Sequence, residues 1–392
     1  MRIVRTAALT AAVALAACLG VTDAGAVDKV FRTEKATVAV KTFARGLDHP
    51  WGLAFLPDGR ILVTEKDGTL RIVSADGTLS DPLRGVPRVD SRGQGGLLDV
   101  ALDPNFAQNR LVYLSFSEPG TGTTNSTAVA RGTLSADGRT LENVQVIFSQ
   151  KPKVPSRMHY GSRLVFDRQG HLYVTMGERS EERYRTQAQD LNSHLGKVVR
   201  INPDGSVPAD NPFVSGPFAN KPGALPEIWS YGHRNVQGAA LNPQTGELWT
   251  NEHGPRGGDE INVPEPGKNY GWPVVSYGVN YDGTPVGTGK SSAPGMEDPI
   301  YHWTPSIAVS GMDFYTADAI PGWKGSLFNG ALAGEMLVRL EVDGKRITHE
   351  ERLFHDLGKR IRAVKQGPDG ALYLLTDESS GEILRVAPAG KS

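Results

Sequence analysis

One pattern of apolar and polar positions recurs along the chain. A short apolar run is followed by a turn rich in proline, aspartate and glycine, and then by a second apolar run. Proline presets the first position of such a turn, and Asp-Gly tolerates the remaining backbone angles, so each copy predicts two strands joined by a tight connection. Five copies are clear, at residues 53–65, 100–115, 164–178, 239–252 and 364–378, and a weaker sixth begins at Gly311.

Several of these strands are apolar on both faces. Ile61-Leu62-Val63 and Leu372-Tyr373-Leu374-Leu375 are examples, and strands of this kind are buried between two neighbouring sheets. No segment with helical periodicity separates the copies, and 46 glycines and 26 prolines favour turns over helices. About six units of roughly sixty residues predict an all-β fold, a six-bladed β-propeller, as a single domain over residues 27–392.

The first residues predict an export signal. Arg2 and Arg5 form a basic segment, and residues 7–17 form an apolar segment that is too short to span a bilayer. A small-residue cleavage site then ends a signal peptide of residues 1–26. The residues around Cys18 also resemble a lipoprotein box, so we expect a periplasmic or secreted protein, with lipid anchoring through Cys18 as the alternative.

Composition excludes several function classes. The formal net charge is −1 and the basic residues are dispersed, so nucleic acid is not an expected partner. No second long apolar run follows the N-terminal one, which predicts no transmembrane span. The single cysteine leaves the mature domain without an internal disulfide or a thiol nucleophile, and the lack of a compact histidine pair argues against zinc.

The densest cluster of charged residues and glycines lies between Tyr231 and Pro273. It contains His233-Arg234-Asn235, Glu252-His253-Gly254-Pro255 and Asp259-Glu260. A Gly-Pro turn followed by two carboxylates exposes carbonyl and carboxylate oxygens together, and calcium selects such oxygens. The Arg-Asn pair offers donors for an anionic, oxygen-rich ligand. These residues predict a metal-assisted site for a polar cofactor or substrate.

Two other places carry candidate chemistry. His159 lies in a polar, glycine-containing loop before the third copy, where propellers place functional residues. Its imidazole titrates near neutrality and can accept a proton, although an ordinary loop histidine is the alternative. Arg360 and Arg362 lie two residues apart on a predicted strand and share a face. They form either a solvated basic edge or a pair of guanidiniums aimed at carboxylates.

Acidic residues end the second strand of four copies. They are Glu65, Glu178, Glu252 and either Asp377 or Glu378. Equivalent blades place them at one level around the axis. Two interpretations remain open: a ring of solvated or arginine-paired strand ends, or an electronegative funnel at the ligand face.

Three motifs, GHRNVQG, NEHGPRGGDEIN and GKNYGWP, resemble those of the soluble PQQ-dependent aldose (glucose/sugar) dehydrogenases. The resemblance runs in the same order over nearly the whole mature chain, from LDHPWGLAFLPDGRILVTEKDG to IRAVKQGPDGALYLLTDESSGEILRV. It implies a propeller that binds PQQ and Ca2+, oxidises an aldose sugar at C1 to the lactone, and passes electrons to a periplasmic acceptor.

The resemblance also implies roles for individual residues. His159 matches the family's general base, Glu178 lies where it would orient that histidine, and Arg234 would face the reacting quinone oxygen. The residues implied in cofactor binding are Gln94, Arg234, Asn235, Tyr301, Trp303, Ser306, Arg360 and Arg362. The two aromatic residues would supply a flat surface for stacking or a wall facing the sugar, with core packing as the alternative. Gly254 and Pro255 match carbonyl ligands of a cofactor-linked calcium, and Glu260 and Tyr270 match a second, structural calcium.

One position departs from the family pattern, and two other functions remain open. The family commonly has a lysine in a Gly-Ala-Leu-Lys stretch that contacts the cofactor, whereas this chain has Ala333 there. A calcium-dependent lactonase would need a central metal held mostly by side chains and no cofactor clamp. A non-catalytic propeller that binds glycans or proteins would have no reason to keep His159, Arg234, Arg360 and Arg362 together.

Overall fold

The computed structural model describes residues 26–219 and 221–390, which form six antiparallel sheets arranged as the blades of a β-propeller. Blade 1 contains β3 (Pro50–Phe55), β4 (Ile61–Glu65) and β5 (Thr69–Val73). Blade 2 contains β6 (Leu97–Leu102), β7 (Leu111–Pro119), β8 (Asn125–Leu134) and β9 (Leu141–Ser149). Blade 3 contains β10 (Gly161–Phe166), β11 (Leu172–Met176), β12 (Lys197–Ile201) and β13 (Ile228–Tyr231).

The remaining blades complete the ring. Blade 4 contains β14 (Val236–Leu241), β15 (Leu248–Glu252), β16 (Asp259–Asn262) and β17 (Tyr301–Trp303). Blade 5 contains β18 (Val309–Phe314), β19 (Leu327–Ala331), β20 (Met336–Asp343) and β21 (Arg346–Leu353). Blade 6 contains β22 (Ile361–Gln366), β23 (Leu372–Thr376), β24 (Gly381–Pro388), β2 (Thr37–Leu47) and β1 (Asp28–Arg32). The predicted all-β, six-bladed fold is confirmed.

Blade 6 closes the ring because it joins the two ends of the described chain. Strand β2 pairs with β24 along most of its length, with Val40 opposite Val386 and Thr42 opposite Leu384. Radial closure of this kind leaves only short strand edges exposed. The N-terminal strands therefore lie in the same sheet as the last strand rather than forming a blade of their own.

The hydrophobic core lies between adjacent blades. In β4, Leu62 packs in a cluster with blade 2, whereas Ile61 and Val63 pack in a cluster with blade 6. All three side chains are almost fully buried, and burying each one contributes about 1.5–3 kcal/mol. The alternation explains why such strands are apolar on both faces, as the sequence indicated.

Helices are few and short in the described part of the chain. The α-helices are α1 (Phe106–Asn109) and α2 (Glu182–Arg185), and 3-10 turns lie at Thr186–Ala188, Gly216–Phe218 and His355–Leu357. None of these helices has the length and apolar character required to cross a membrane. The predicted signal peptide lies almost wholly outside the described residues, which begin at Ala26.

Candidate active site

A cavity of about 290 Å³ lies where the first strands of the six blades converge. Each blade contributes to its wall, for instance through Trp51, Leu98, Gly161, Gln237, Ala308 and Arg362. Every one of these first strands also carries a register shift at this end. Such irregularities re-aim side chains next to sites, so the repeated distortion turns a ring of strand ends into a polar pocket.

His159 lies beside this cavity and is held by a buried carboxylate. Its Nδ1 is 2.8 Å from Oε1 of Glu178, and its backbone N–H donates to Oε1 of Gln94 at 2.8 Å. A carboxylate only accepts hydrogen bonds, so the pairing places the imidazole proton on Nδ1 and leaves the lone pair on Nε2. Within residues 26–219 and 221–390, Nε2 has no hydrogen-bond partner.

The electrostatic surroundings keep His159 neutral. Burial lowers the pKa of His159 below its ordinary value of 6.5, and the nearby charge of Arg234 lowers it further, while Glu178 opposes both effects. A depressed pKa means that the imidazole is unprotonated at neutral pH. The side chain is therefore poised to accept a proton rather than to donate one.

Arg234 links this region to the Gly-Pro turn. Its Nη1 donates to the carbonyl oxygens of Gly254, at 2.7 Å, and His253, at 3.1 Å, while its Nε is buried without a hydrogen-bond partner in the described structure. The next residue, Asn235, lines the cavity and accepts a hydrogen bond from the N–H of Gly161. The Arg-Asn pair thus offers an unused donor close to the carbonyls of the turn.

Arg360 and Arg362 both line the cavity and share one carboxylate. Their Nη2 atoms donate to Oδ2 of Asp377 at 3.2 and 2.8 Å. Burial would raise the pKa of Asp377, but the two arginines hold it below its ordinary value. Arg362 also binds Gln237, and its Nε is buried without a partner among the described residues. Two guanidiniums on one carboxylate leave a positive wall that suits an anionic ligand.

The structure does not bring the predicted aromatic wall to this cavity. Tyr301 and Trp303 lie on β17, the outermost strand of blade 4, and both donate a hydrogen bond to Oε2 of Glu350. Trp303 belongs to a hydrophobic cluster between blades, so these side chains adopt the core packing that was the alternative. Ser306 also lies away from the cavity wall and accepts a hydrogen bond from Gly257 N–H, which supports the Gly-Pro turn.

A second, much smaller cavity contains the candidate metal ligands. Gly254, Glu260 and Tyr270 line it together with Glu252. Burial raises the pKa of Glu260 well above its ordinary value, and the neighbouring Glu252 adds to that shift. Crowded carboxylates of this kind are stabilised by a bound cation.

The backbone at this cavity is compatible with oxygen coordination. Within the part of the chain that the structure describes, the carbonyl oxygens of Pro255 and Tyr270 accept no hydrogen bond. Asp259 has a different task, because its carboxylate accepts from the N–H groups of Gly254, Ile307 and Ala308 and so fixes the turn.

The strand-end acids are paired. Glu65 binds Arg71, Glu178 binds His159, Glu252 binds His233, and Asp377 binds Arg360 and Arg362. Glu65 and Asp377 are arginine-paired, as the first interpretation holds, whereas Glu178 and Glu252 bind histidines. Glu252 also lines the small cavity of the candidate metal ligands, so neither interpretation describes all four acids.

Sequence reasoning missed several cavity residues. Trp51 lines the wall, with the guanidinium of Arg163 4.1 Å from its ring centroid. His253 lines both cavities, and burial lowers its pKa to about 4. Gln237 was detectable, because it lies two residues after Asn235 within the same motif, GHRNVQG. Trp51 gave no such signal, since an aromatic residue in a strand more often belongs to the core.

Comparison with known proteins gives consistent matches. Residues 47–385 match the family model described as Glucose / Sorbosone dehydrogenase. The chain is 49% identical over 355 residues to aldose sugar dehydrogenase YliI of Escherichia coli strain K12, covering 90% of this chain and 94% of that relative.

Solved structures with these names are also similar. The apo form of the E. coli soluble aldose sugar dehydrogenase matches with a TM-score of 0.85 and 48% identity, covering 90% of this chain and all of the other. The PQQ-bound aldose sugar dehydrogenase of Streptomyces coelicolor matches with a TM-score of 0.73 and 30% identity, covering 93% of this chain and 98% of the other.

Proposed function

Because this chain belongs to the glucose/sorbosone dehydrogenase family and is an oxidoreductase of the soluble PQQ-dependent aldose dehydrogenase type, we propose that it oxidises aldose sugars at C1 to the lactone, with His159 as the general base. The observation that carries the proposal is the state of the His159 ring. Glu178 holds Nδ1, and Nε2 is free beside a cavity with a positive wall.

The chemical step needs a proton acceptor from the protein. As the C1–H bond breaks and its hydride leaves, the C1 hydroxyl gives its proton to Nε2 of His159, and the carbon–oxygen bond becomes the lactone carbonyl. Bound PQQ supplies the two-electron acceptor for that hydride. Glu178 keeps the ring oriented and stabilises the imidazolium that forms, which is the usual role of a carboxylate behind a histidine base.

The cavity residues suit a cofactor with several carboxylates. Arg360 and Arg362 share a single acid, and the buried Nε of Arg362 has no partner among the described residues. Buried donors without acceptors cost free energy unless a ligand satisfies them. Gln94 and Asn235 add neutral polar groups to the wall. These residues would hold the cofactor, and Arg234 would bring its charge to the quinone oxygen.

Calcium would complete the site at the Gly-Pro turn. The carbonyls of Gly254 and Pro255 would bind the cofactor-linked ion, since a carbonyl oxygen that accepts one hydrogen bond, as Gly254 does from Arg234, keeps a second lone pair. The carboxylate of Glu260 and the carbonyl of Tyr270 would bind the second ion in the small cavity. Burial, and then the neighbouring Glu252, raise the pKa of Glu260 there, and a bound cation would offset both effects.

The proposal is tested by reconstitution. Purified protein is mixed with PQQ and calcium, and reduction of a redox dye is followed with a panel of aldoses, while the lactone product is trapped as a hydroxamate. We expect sugar-dependent dye reduction that requires both additions and yields lactone. Failure of the bound cofactor to be reduced by any aldose would contradict the proposal. Lactone hydrolysis with calcium alone would favour the lactonase, and glycan binding without reduction would favour the non-catalytic propeller.

Export is part of the same proposal, because the family resemblance places the electron acceptor in the periplasm. Cleavage after residue 26 predicts a mature protein that starts at Val27, and N-terminal sequencing of the exported protein tests it. Labelling with palmitate distinguishes cleavage from lipidation at Cys18. A cytoplasmic protein that retains residues 1–26 would contradict export.

A further inference from the structure

We propose that Lys66 is a third cationic contact for the anionic cofactor, presented by blade 1, which lies next to blade 6 and its arginine pair. The proposal rests on the proposed function. Lys66 lines the cavity from blade 1, whereas Arg360 and Arg362 line it from blade 6. Arg360 and Arg362 make their ion pairs with Asp377 and no contact with Lys66, so the arginine pair does not account for a lysine in the cavity wall.

The ammonium of Lys66 has no hydrogen-bond or ion-pair partner within the described residues. The acids nearest to it in sequence are engaged elsewhere. Glu65 binds Arg71 and the N–H of Asp48, and Asp67 accepts from the N–H of Thr69. A lysine that is partly removed from water and lacks an anion loses hydration without gaining a partner. A bound anion would supply that partner.

The backbone of Lys66 is firmly fixed although its side chain is unpaired. Its N–H donates to the carbonyl of His49, and its carbonyl accepts from the N–H of Leu97. The lysine stem packs against Gly96, where an added Cβ would lie only 2.0 Å from the Lys66 carbonyl oxygen and 2.8 Å from its Cγ. The glycine therefore lets the backbone before blade 2 approach Lys66 closely, two residues after Gln94.

Charge in the cavity favours the same conclusion. The charged side chains that line it are Lys66, Arg360, Arg362 and Asp377, and these four carry an excess of two positive charges. A ligand with several carboxylates neutralises that excess, whereas a neutral sugar does not. Lys66 also offers a positive charge that Ala333 does not provide.

The test measures cofactor binding in the absence of sugar. Apo-protein with calcium is titrated with PQQ, and quenching of tryptophan fluorescence, to which the cavity residue Trp51 contributes, gives the dissociation constant. We expect Lys66→Met to weaken PQQ binding roughly tenfold or more, which is the scale of a hydrogen bond to a charged group. Lys66→Arg should retain most of the affinity, and the salt dependence of binding should be smaller in Lys66→Met than in the parent.

Lys365→Met is the matched control. Lys365 lies on β22, is half-buried like Lys66, has no side-chain partner in the described structure and is not part of the cavity wall, so its replacement should leave PQQ binding unchanged. Equal PQQ affinity in the parent and Lys66→Met would overturn the proposal, as would an equal loss in Lys365→Met. Unchanged PQQ affinity with a raised KM for sugar would also overturn it, since the lysine would then contact substrate. A parent protein that binds no PQQ would instead overturn the proposed function itself.

Discussion

Blades 3 and 4 build the same pair of side chains twice. In blade 3, Nδ1 of His159 is 2.8 Å from Oε1 of Glu178, and in blade 4, Nδ1 of His233 is 2.8 Å from Oε1 of Glu252. The two partners are 19 residues apart in both cases. Each histidine precedes the first strand of its blade. Glu252 is the last residue of β15, and Glu178 lies two residues after the end of β11.

The two pairs differ in the second ring nitrogen. Nε2 of His233 is 2.8 Å from the hydroxyl of Ser230, and its ring stacks on Tyr270 with centroids 4.8 Å apart. His233 is fully buried, whereas His159 is 4% exposed at the edge of the cavity and its Nε2 is unpaired in the described structure. Both ring nitrogens are therefore bonded in the blade 4 pair, whereas the blade 3 pair leaves one nitrogen free for the proposed proton transfer.

The largest effect should come from removing the free nitrogen. His159→Gln should lower turnover roughly 10²–10⁴-fold, the usual contribution of a positioned acid–base group, while the melting temperature and PQQ affinity stay close to those of the parent. Steady-state dye reduction, normalised to bound PQQ, measures the loss. A comparable loss of folded protein would instead make His159 a structural residue.

Removal of the bonded histidine should have the opposite consequence. His233→Ala leaves Glu252 without one hydrogen-bond partner in a buried setting, and leaving a buried polar group unsatisfied costs about 1–3 kcal/mol of stability. We expect a clearly lower midpoint of urea denaturation with turnover per bound PQQ within a few-fold of the parent. Normal stability together with lost turnover would contradict a structural role for His233.

Replacing Arg360 or Arg362 should change PQQ affinity, unlike replacing either histidine. Arg362→Ala should weaken PQQ binding by about 2 kcal/mol, the scale of a hydrogen bond to a charged group, and Arg360→Ala should weaken it less because its side chain is 43% exposed, against 12% for Arg362. Equilibrium dialysis of PQQ measures both values. Weakened sugar binding with unaltered PQQ affinity would refute the assignment.

The smallest effect concerns pH. The pKa of His159 lies below 6.5 because of burial and Arg234, so kcat/KM should fall on acidification only below that value. Glu178 raises this pKa, so Glu178→Gln should move the inflection to lower pH.

The same pKa shift affects folding. On acidification the imidazole of His159 is protonated at a higher pH in the unfolded chain than in the folded one, so the free energy of unfolding also decreases as pH falls below 6.5. An inflection above 6.5 would contradict the electrostatic account.

Much of the fold was readable from local pattern. The apolar runs of β4 and β23 and their Asp-Gly turns are short-range signals, and they predicted the strands that were found. The closure of blade 6 was not readable, because β2 and β24 are held together by contacts such as Thr42 with Glu382, which are 340 residues apart. No local preference encodes a pairing over that distance.

Some site residues were predicted from the sequence and others were not, because the position of a residue in the site also depends on long-range contacts. His159, Glu178, Arg360 and Arg362 follow from motifs and strand periodicity. The structure places the two arginines in the cavity wall, and the His159–Glu178 pair lies behind it, next to the lining residues Gln94 and Tyr160. Tyr301 was assigned from its motif, but its distance from the axis depends on its strand being the fourth of a blade, and the sequence does not show that order. The free Nε2 also depends on where a serine hydroxyl is directed. Ser230 lies 2.8 Å from Nε2 of His233, whereas Ser156, also three residues before its histidine, donates to the carbonyl of Arg179.

Single-turnover reduction of bound cofactor compares the two pairs most directly. PQQ-loaded parent, His159→Gln and His233→Gln proteins are mixed anaerobically with sugar, and the absorbance of the bound PQQ is followed, which counts only folded, loaded molecules. The account predicts that His233→Gln is reduced at close to the parent rate and His159→Gln at least about 10²-fold more slowly. Parent-like reduction in His159→Gln would contradict it.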